Sequence, residues 1–259
     1  MVFIDTHTHL YDNQFDEDRE EIIEKAIKNG VKKILLPNCN RDTVPQLIEM
    51  AHQWPDNCYP MMGLHPCDVQ DNYIEELKYL RSLFDNHQFY GVGEIGLDFY
   101  WDLSFQNQQI KAFEEQLGWA IDLDLPVSIH TRKSIEEGID VVRSMQNGDL
   151  KGVFHCFSGN LEQAKAIVDL GFYLGIGGVA TFKNGGLTEL LEYIDLKYIV
   201  LETDAPYLAP SPYRGKRNES AYIPIIAQKI ADIQKKPLEE VAQQTTKNAM
   251  NVFTSLNNK

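Results

Sequence analysis

The sequence predicts an α/β fold, a single (β/α)8 barrel with an extra C-terminal helix. Three observations support this prediction: short apolar runs alternate eight times with amphipathic stretches, the chain has 259 residues, and no linker or low-complexity tract divides it. Apolar strands that alternate with helices are typical of a parallel sheet covered on both faces. Eight such units favour a closed barrel, which typically takes about 250 residues, over an open sheet. We therefore expect one domain over residues 1–259.

The strands are predicted at residues 2–5, 33–36, 59–64, 90–95, 126–130, 152–155, 172–176 and 198–201. Each precedes a predicted helix, at residues 16–29, 43–53, 73–84, 104–122, 135–145, 161–170, 187–193 and 221–233. The first helix illustrates the pattern, because Ile22, Ile23 and Ala26 share one face and Gly30 follows as a stop signal. A ninth helix is predicted at residues 237–253, and we expect it to pack outside the barrel.

The net charge of −14 argues against a protein that coats nucleic acid through a broad basic face. It does not argue against an enzyme that takes a phosphodiester into a local site, because bound divalent cations would reverse the sign of the field there. No apolar run reaches the ~20 residues that span a bilayer, and the first residues lack the basic and apolar regions of a signal peptide. We therefore expect a cytoplasmic protein that does not contact a membrane.

Most of the histidines lie at or just after the end of a predicted strand. These are His7, His9, His65, His130 and His155. Carboxylates occupy the same kind of position, with Glu94 on the fourth strand and Glu202 and Asp204 at the end of the eighth. A β/α barrel builds its active site at the C-terminal ends of its strands. We therefore expect these side chains to converge there.

The spacing of these residues suits metal ligands. In extended backbone, residues i and i+2 point to the same side, so His7 and His9 can reach one ion, and Glu202 and Asp204 also share a side. Glu94 lies between glycines on a buried apolar strand, where a carboxylate is costly unless it is paired or binds metal. Its central position suits a ligand that bridges two ions. For each residue taken alone, the alternative is a structural hydrogen bond or salt bridge.

This set of side chains predicts a metal-dependent hydrolase. Neutral water attacks a phosphodiester or an amide slowly, whereas a bound cation lowers the pKa of water toward ~7. A second cation about 4 Å away can hold the leaving-group oxygen. Imidazole ligands favour Zn or Mn, whereas Mg prefers oxygen ligands. We expect two or three divalent cations, with Mg, Mn and Zn as the candidates.

Six motifs, in order and over nearly the whole chain, resemble the TatD family of metal-dependent deoxyribonucleases. They are FIDTHTHL at 3–10, GLHP at 63–66, GVGEIGLD at 91–98, IHTR at 129–132, HCFSG at 155–159 and ETDAPYL at 202–208. The resemblance implies a TIM barrel of the amidohydrolase type. It also implies an enzyme that cleaves DNA phosphodiester bonds, often as a 3′–5′ exonuclease, so that single-stranded or frayed DNA ends would be the substrate.

The resemblance further implies the roles of the site residues. One ion would lie among His7, His9, Glu94 and Asp204. The other would lie among Glu94, His130 and His155, and Glu202 would join a further site. His65 and Arg132 would face the scissile phosphate. Asp204, Glu94 and His65 are thus the expected catalytic residues, and Asp204 would orient a metal-activated hydroxide for attack.

Several other residues are expected to contact the substrate. Arg132 lies two residues after His130, so it should reach the mouth of the barrel, where arginine suits bidentate phosphate contact. Arg214 and Arg217 lie in the loop after the eighth strand, where barrels often bind phosphate, and Tyr207 belongs to the last motif. Surface salt bridges are the alternative for the arginines. The aromatic run at residues 99–101 could stack bases or pack the loop.

Three other functions compete with the nuclease. The first is an amidohydrolase-type enzyme for a small amide or ester. Many such barrels bridge their metals with a carboxylated lysine, but Glu94 occupies that position here. The second is hydrolysis of an aminoacyl ester on tRNA, which the same site could perform. The third is a metal-holding scaffold without activity, against which the complete ligand set argues.

Overall fold

The computed structural model describes residues 1–258 and confirms the α/β prediction. The strands are β1 (Phe3–Asp5), β2 (Val31–Pro37), β3 (Cys58–Met61), β4 (Val92–Asp98), β5 (Val127–Arg132), β6 (Gly152–Phe154), β7 (Tyr173–Ile176) and β8 (Ile199–Leu201). The helices are α1 (Arg19–Lys28), α2 (Val44–Gln53), α3 (Tyr73–Ser82), α4 (Gln106–Leu123), α5 (Ile135–Met145), α6 (Leu161–Asp169), α7 (Leu187–Tyr193), α8 (Ile223–Gln234) and α9 (Leu238–Val252). None of these described helices combines the length and the apolarity needed to cross a membrane.

The strands pair in parallel as two sheets, in the orders β1-β2-β3 and β4-β5-β6-β7-β8. A parallel bridge between Met62 and Val92 joins β3 to β4. At the other gap, the backbone N–H of Thr6 donates to the carbonyl of Leu201 at 3.0 Å and joins β1 to β8. The two sheets therefore form one barrel, and all strands end at the same mouth.

Helix boundaries follow the sequence prediction closely. The largest shift is at α1, which begins at Arg19 because residues 13–15 form a separate 3₁₀ turn capped by Asp12. The side chain of Asp12 accepts the backbone N–H of Gln14 at 2.8 Å, which starts that turn before the helix. The connection between β1 and α1 is therefore longer than predicted, and it lies at the mouth of the barrel.

The second half of α9 differs from the expectation. Val241 belongs to the outer core between strands and helices, as expected for a helix outside the barrel. Val252 and Phe253, in contrast, pack with Leu35 and other inward-facing strand residues. Leu35 alternates along β2 with Ile34 and Leu36 of the outer core, which shows that it faces the barrel interior. The end of α9 therefore closes the barrel opposite the mouth, and the expectation of packing outside was wrong for this half.

Candidate metal centre

Glu94 is the centre of the site and is almost fully buried on β4. Its Oε2 lies 3.2 Å from His7 Nε2 and 3.4 Å from His9 Nε2. Its Oε1 lies 2.7 Å from His155 Nε2 and 2.8 Å from His130 Nδ1. One carboxylate therefore faces two separate pairs of imidazoles, one pair at each oxygen.

Asp204 completes the first of these groups. Its Oδ1 lies 3.6 Å from His9 Nε2 and 3.9 Å from His7 Nε2. We call His7, His9, Asp204 and the Oε2 of Glu94 the first donor group. The second donor group is the Oε1 of Glu94 with His130 Nδ1 and His155 Nε2, which lie 3.2 Å apart.

The donor atoms fit divalent cations. Within residues 1–258, three sets of side chains bring ligand atoms within 4.8 Å of one another. They are His7, His155 and Asp204, then His7, His9 and Glu94, and finally His65, Glu94 and His130. Imidazole and carboxylate are the donors that Zn, Mn and related ions take in proteins. Buried groups of this kind are costly unless they are paired or bind a cation.

The far nitrogens of His9 and His130 show which ring nitrogen carries the proton. His9 Nδ1 lies 2.9 Å from the hydroxyl of Tyr11, which donates to the carbonyl of Pro37 at 2.6 Å and so accepts the His9 proton. His130 Nε2 lies 3.0 Å from Asp98 Oδ2. Because each far nitrogen donates, the nitrogen that faces Glu94 has a lone pair in the neutral imidazole, the form that binds a cation.

His7 and His155 also face Glu94 through Nε2. His7 Nδ1 lies 2.8 Å from Ser128 Oγ, which can accept its proton. His155 Nδ1 faces Glu202 Oε1 at 3.6 Å, a distance longer than a hydrogen bond. Both imidazoles therefore present Nε2 to the centre of the site.

His65 has the opposite polarity. Its Nδ1 accepts the backbone N–H of Cys67 at 3.0 Å, an interaction that caps the turn Pro66–Asp68. In the neutral imidazole the proton is then on Nε2, which lies 3.4 Å from Glu94 Oε1. A metal ligand needs a lone pair at that position. His65 therefore presents a hydrogen-bond donor to the cleft, although its atoms lie close enough to the second donor group to bind an ion.

The electrostatics of the site favour an ionised Glu94. Burial alone would raise its pKa, but His155, His65 and His7 hold the pKa of this carboxyl well below its usual range. Burial, together with the charge of His155, lowers the pKa of His7 to about 3, so this imidazole is neutral. Burial opposes the charged form of His155, yet Glu94 and Glu202 raise its pKa well above the usual value. A cation at the second donor group must therefore displace a proton.

Glu202 lies behind His155 and outside both donor groups. It is fully buried, and its Oε1 accepts the backbone N–H of Cys156. Its Oε2 has no hydrogen-bond partner among the described residues. A Cβ at Gly175 would collide with this oxygen, so glycine makes room for the carboxylate. Its role as a ligand of a further ion stays a prediction.

A cleft of about 720 Å³ opens from the donor groups to solvent, and Arg132, Trp101 and Tyr207 lie along it. Trp101 is 68% exposed and Tyr207 is 50% exposed. The guanidinium of Arg132 lies 4.0 Å from the ring centre of Tyr100 and 5.0 Å from that of Trp101. Phe99 instead packs against the core. We call Arg132, Tyr100 and Trp101 the mouth surface.

The two other arginines expected at the substrate lie elsewhere. Arg217 pairs with Asp18 at 2.5 Å, donates to the carbonyl of Gln14 and lies over the ring of Phe15. Arg214 is exposed, and its guanidinium lies 3.8 Å from the ring centre of Phe182. Neither belongs to the described residues that line the cleft. Their contact with substrate stays a prediction.

Two buried carboxylates were missed by the sequence analysis. Asp98 contacts His130, and a signal existed, because residues 94, 96 and 98 share one side of a strand. Asp5 joins β1 to the loop after β8. It accepts hydrogen bonds from Thr203 N at 3.0 Å, Thr203 Oγ1 at 2.6 Å, Ser220 Oγ at 2.6 Å and His7 N at 3.3 Å. Asp5 thereby holds the ends of β1 and β8 against each other.

Comparison with known proteins agrees with this geometry. The sequence model of the family described as TatD related DNase matches residues 4–254. The metal-dependent hydrolase YabD of Bacillus subtilis is 36% identical over 254 residues, which covers 98% of this chain and 99% of YabD. The 3′-5′ ssDNA/RNA exonuclease TatD of Erwinia tasmaniensis is 33% identical over 255 residues, which covers 96% of this chain and 98% of that protein.

A solved structure gives the same result. The crystal structure of YjjV, a TatD homologue from Escherichia coli, superposes with a TM-score of 0.91 at 28% identity and covers 97% of this chain and 98% of YjjV. These matches extend over the strands and loops that carry both donor groups. The fold expected from the sequence is therefore confirmed, and the chain belongs to the TatD family of metal-dependent hydrolases that act on ester bonds.

Proposed function

We propose that this protein is a divalent-metal-dependent deoxyribonuclease that removes nucleotides from the 3′ ends of single-stranded or frayed DNA. The observation that carries the proposal is the position of Glu94, whose two oxygens face two imidazole pairs at the base of an open cleft. The name of the Erwinia relative, a 3′-5′ ssDNA/RNA exonuclease, supports the same reaction. Two ions, with Mn, Zn or Mg as candidates, are the proposed cofactors.

Bound divalent ions would supply a water of lowered pKa and would neutralise charge on the phosphate. The residues of the chain would accept the proton of that water and would bind the substrate. Burial alone would raise the pKa of Asp204, but His9, His155 and His7 lower it, so this carboxylate is ionised. Its Oδ1 would accept the proton of the attacking water.

The substrate contacts follow from the polarity of the cleft. His65 would donate its Nε2–H to a phosphoryl oxygen, because its Nδ1 already accepts the N–H of Cys67. Arg132 would bind the phosphate with its guanidinium. Tyr100 and Trp101 expose their rings beside that guanidinium, and exposed rings of this kind stack unpaired bases. Duplex DNA keeps its bases stacked inside, so single-stranded ends fit this surface better.

The negative net charge agrees with this proposal. With a net charge of −14, the chain would bind DNA weakly outside the cleft. Affinity for the phosphate would therefore depend on the metal ions and on Arg132. Tyr207 lies along the cleft with its ring centre 6.3 Å from that of His9, a position from which it would contact the terminal nucleotide.

The experiment uses metal-stripped protein and DNA labelled at either the 5′ or the 3′ end, as a single strand or as a blunt duplex. Mg, Mn or Zn is added back in separate reactions. We expect cleavage only with metal, a ladder that shortens from the 3′ end, and a faster reaction on the single strand. Absence of cleavage by protein shown to hold its ions would reject the nuclease and would favour an ester or amide substrate at the same site. Cytoplasmic location and the action of residues 1–259 as one domain also stay predictions.

A further inference from the structure

Asp98, at the end of β4, connects the metal centre to the mouth surface. Its side chain is almost fully buried, and its two oxygens have different partners. Oδ2 lies 3.0 Å from His130 Nε2. Oδ1 accepts the backbone N–H groups of Tyr100 at 2.9 Å and Trp101 at 3.3 Å. One carboxylate therefore contacts an imidazole of the second donor group and also the backbone of the loop that carries the aromatic rings.

Other contacts join the same loop to the end of β5. The backbone N–H of Phe99 donates to the carbonyl of Arg132 at 2.9 Å. The guanidinium of Arg132 packs on the rings of Tyr100 and Trp101. His130 and Arg132 both belong to β5. These contacts hold the loop after β4 against the end of β5, and Asp98 is the contact that also includes the metal centre.

We propose that Asp98 is a positioning residue that couples metal binding at His130 to the order of the mouth surface, so that a bound cation fixes Tyr100 and Trp101 in place. In the neutral imidazole, the carboxylate keeps the proton of His130 on Nε2 and leaves the lone pair on Nδ1, the atom that faces the second donor group. A cation on Nδ1 makes the Nε2–H a stronger donor to Asp98. The stronger hydrogen bond from His130 in turn fixes the Asp98 carboxylate, whose Oδ1 accepts the N–H groups of the loop.

Coupling of this kind is reciprocal. If a cation at the second donor group favours the ordered loop, then whatever binds the ordered rings must raise the affinity for that cation by the same factor. In the proposed nuclease the stacked base would be that second ligand, and this part rests on the proposed function. The metal-to-loop half does not, because it concerns only the described contacts of Asp98.

An asparagine at this position separates the two contacts. Its single oxygen can accept the N–H groups of Tyr100 and Trp101, but the amide NH₂ would then face His130 Nε2, which would have to accept a hydrogen bond from it. That moves the His130 proton to Nδ1 and removes the lone pair from the donor group. In the opposite orientation the amide oxygen still accepts the hydrogen bond from His130 Nε2. The NH₂ group then faces the N–H groups of Tyr100 and Trp101, which lose their acceptor, so the loop is no longer held. Either arrangement breaks the coupling.

The test titrates Zn²⁺ into metal-free protein without any nucleic acid. Acrylamide quenching of Trp101 fluorescence reports how accessible this side chain is and therefore how ordered the loop is. The Trp101 signal of each protein is its difference from the corresponding Trp101→Phe form. We expect Zn²⁺ to reduce quenching in the wild type and to have no effect in Asp98→Asn. Calorimetry should show that Asp98→Asn binds the weaker ion about 10–100-fold less tightly. The matched control is Asp102→Asn, on the same loop, whose carboxylate has hydrogen bonds only with Ser104 among its described contacts.

The control should retain both the wild-type affinity and the wild-type response of the loop. Wild-type zinc affinity in Asp98→Asn, or a loop that still responds in that variant, would overturn the proposal. If Asp98→Asn does not fold, ¹⁵N NMR of the zinc-loaded wild type decides instead. There, His130 must show a zinc-bound Nδ1 and a protonated Nε2, and the reverse pattern would overturn the proposal. Because no DNA is present, failure of this test is distinguishable from failure of the nuclease assay.

Discussion

The variant His65→Asn distinguishes two possible roles of His65. The side chain either donates a hydrogen bond into the cleft or binds a metal ion. Asparagine is among the best residues for capping a turn, so its Oδ1 can keep the N–H of Cys67 that His65 Nδ1 accepts at 3.0 Å. The variant removes only the Nε2–H, which lies 3.4 Å from Glu94 Oε1. A hydrogen bond to a charged group contributes about 1.5–3 kcal/mol. At about 1.4 kcal/mol per tenfold in rate, kcat should fall roughly 10–150-fold.

Two measurements check this prediction. The number of ions per chain, from elemental analysis after dialysis against Zn²⁺ or Mn²⁺, should equal that of the wild type. The rate of cleavage of labelled single-stranded DNA at saturating metal should fall by the stated factor. His87→Asn, a change of a histidine outside the site, is the matched control and should leave both values unchanged. Loss of one ion in His65→Asn would show that His65 is a ligand, and the assignment of its proton to Nε2 would be wrong.

Three further predictions concern pH, stability and an arginine. Burial opposes the charged forms of His130 and His155, but neighbouring carboxylates raise the pKa of each. Metal affinity from calorimetry should therefore rise as the pH is raised above the ordinary histidine pKa of about 6.5, by roughly tenfold per unit for each proton displaced, and a flat profile would contradict this. Asp5→Ala removes the acceptor of four buried hydrogen bonds. Urea unfolding should therefore show a free energy of unfolding lower by about 3 kcal/mol or more. A decrease under about 1 kcal/mol would refute the role of Asp5 in holding β1 against β8. Arg217→Ala should leave kcat and KM within about twofold of the wild type. It should reduce the free energy of unfolding by about 1 kcal/mol or less, because Arg217 forms a partly exposed salt bridge with Asp18. A large rise in KM would instead place Arg217 at the substrate.

The sequence was sufficient to predict that the histidines and carboxylates converge. The reason is geometric: residues at the ends of parallel strands meet at one mouth, and spacing by two residues keeps side chains on one side. His7 and His9 follow this rule, and so does Glu94, whose neighbouring glycines leave it no partner on its own strand. The positions of the strands needed only the alternation of apolar runs.

The polarity of each imidazole could not be predicted in the same way. It depends on what the far nitrogen meets, and the partners of His7 and His130 come from other parts of the chain. The partner of His7 is Ser128, 121 residues away. His65 is reversed by a backbone N–H of its own turn, which no pattern of side chains reveals. Asp98 was within reach, because it shares a strand face with Glu94.

Long-range pairing also explains the other differences. Arg217 appears from the sequence to be a free basic residue in a loop, but it pairs with Asp18, 199 residues away. The end of α9 carries apolar residues that fit either the outside of the barrel or its closed end. Only the assembled strands show that Phe253 packs inside. Local periodicity predicts a helix, and the surface it covers depends on the rest of the fold.

We propose that Glu94 joins two metal sites through its two oxygens, and counting the ions bound by Glu94→Gln tests this directly. The amide keeps the shape of the side chain but offers one oxygen instead of two. Glu219→Gln is the matched control, because this buried carboxylate pairs with Lys25 and contacts neither donor group. We expect two ions per chain in the wild type and in Glu219→Gln, at most one in Glu94→Gln, and loss of DNA cleavage in Glu94→Gln. Two ions bound with wild-type affinity in Glu94→Gln would show that Glu94 does not join the two sites.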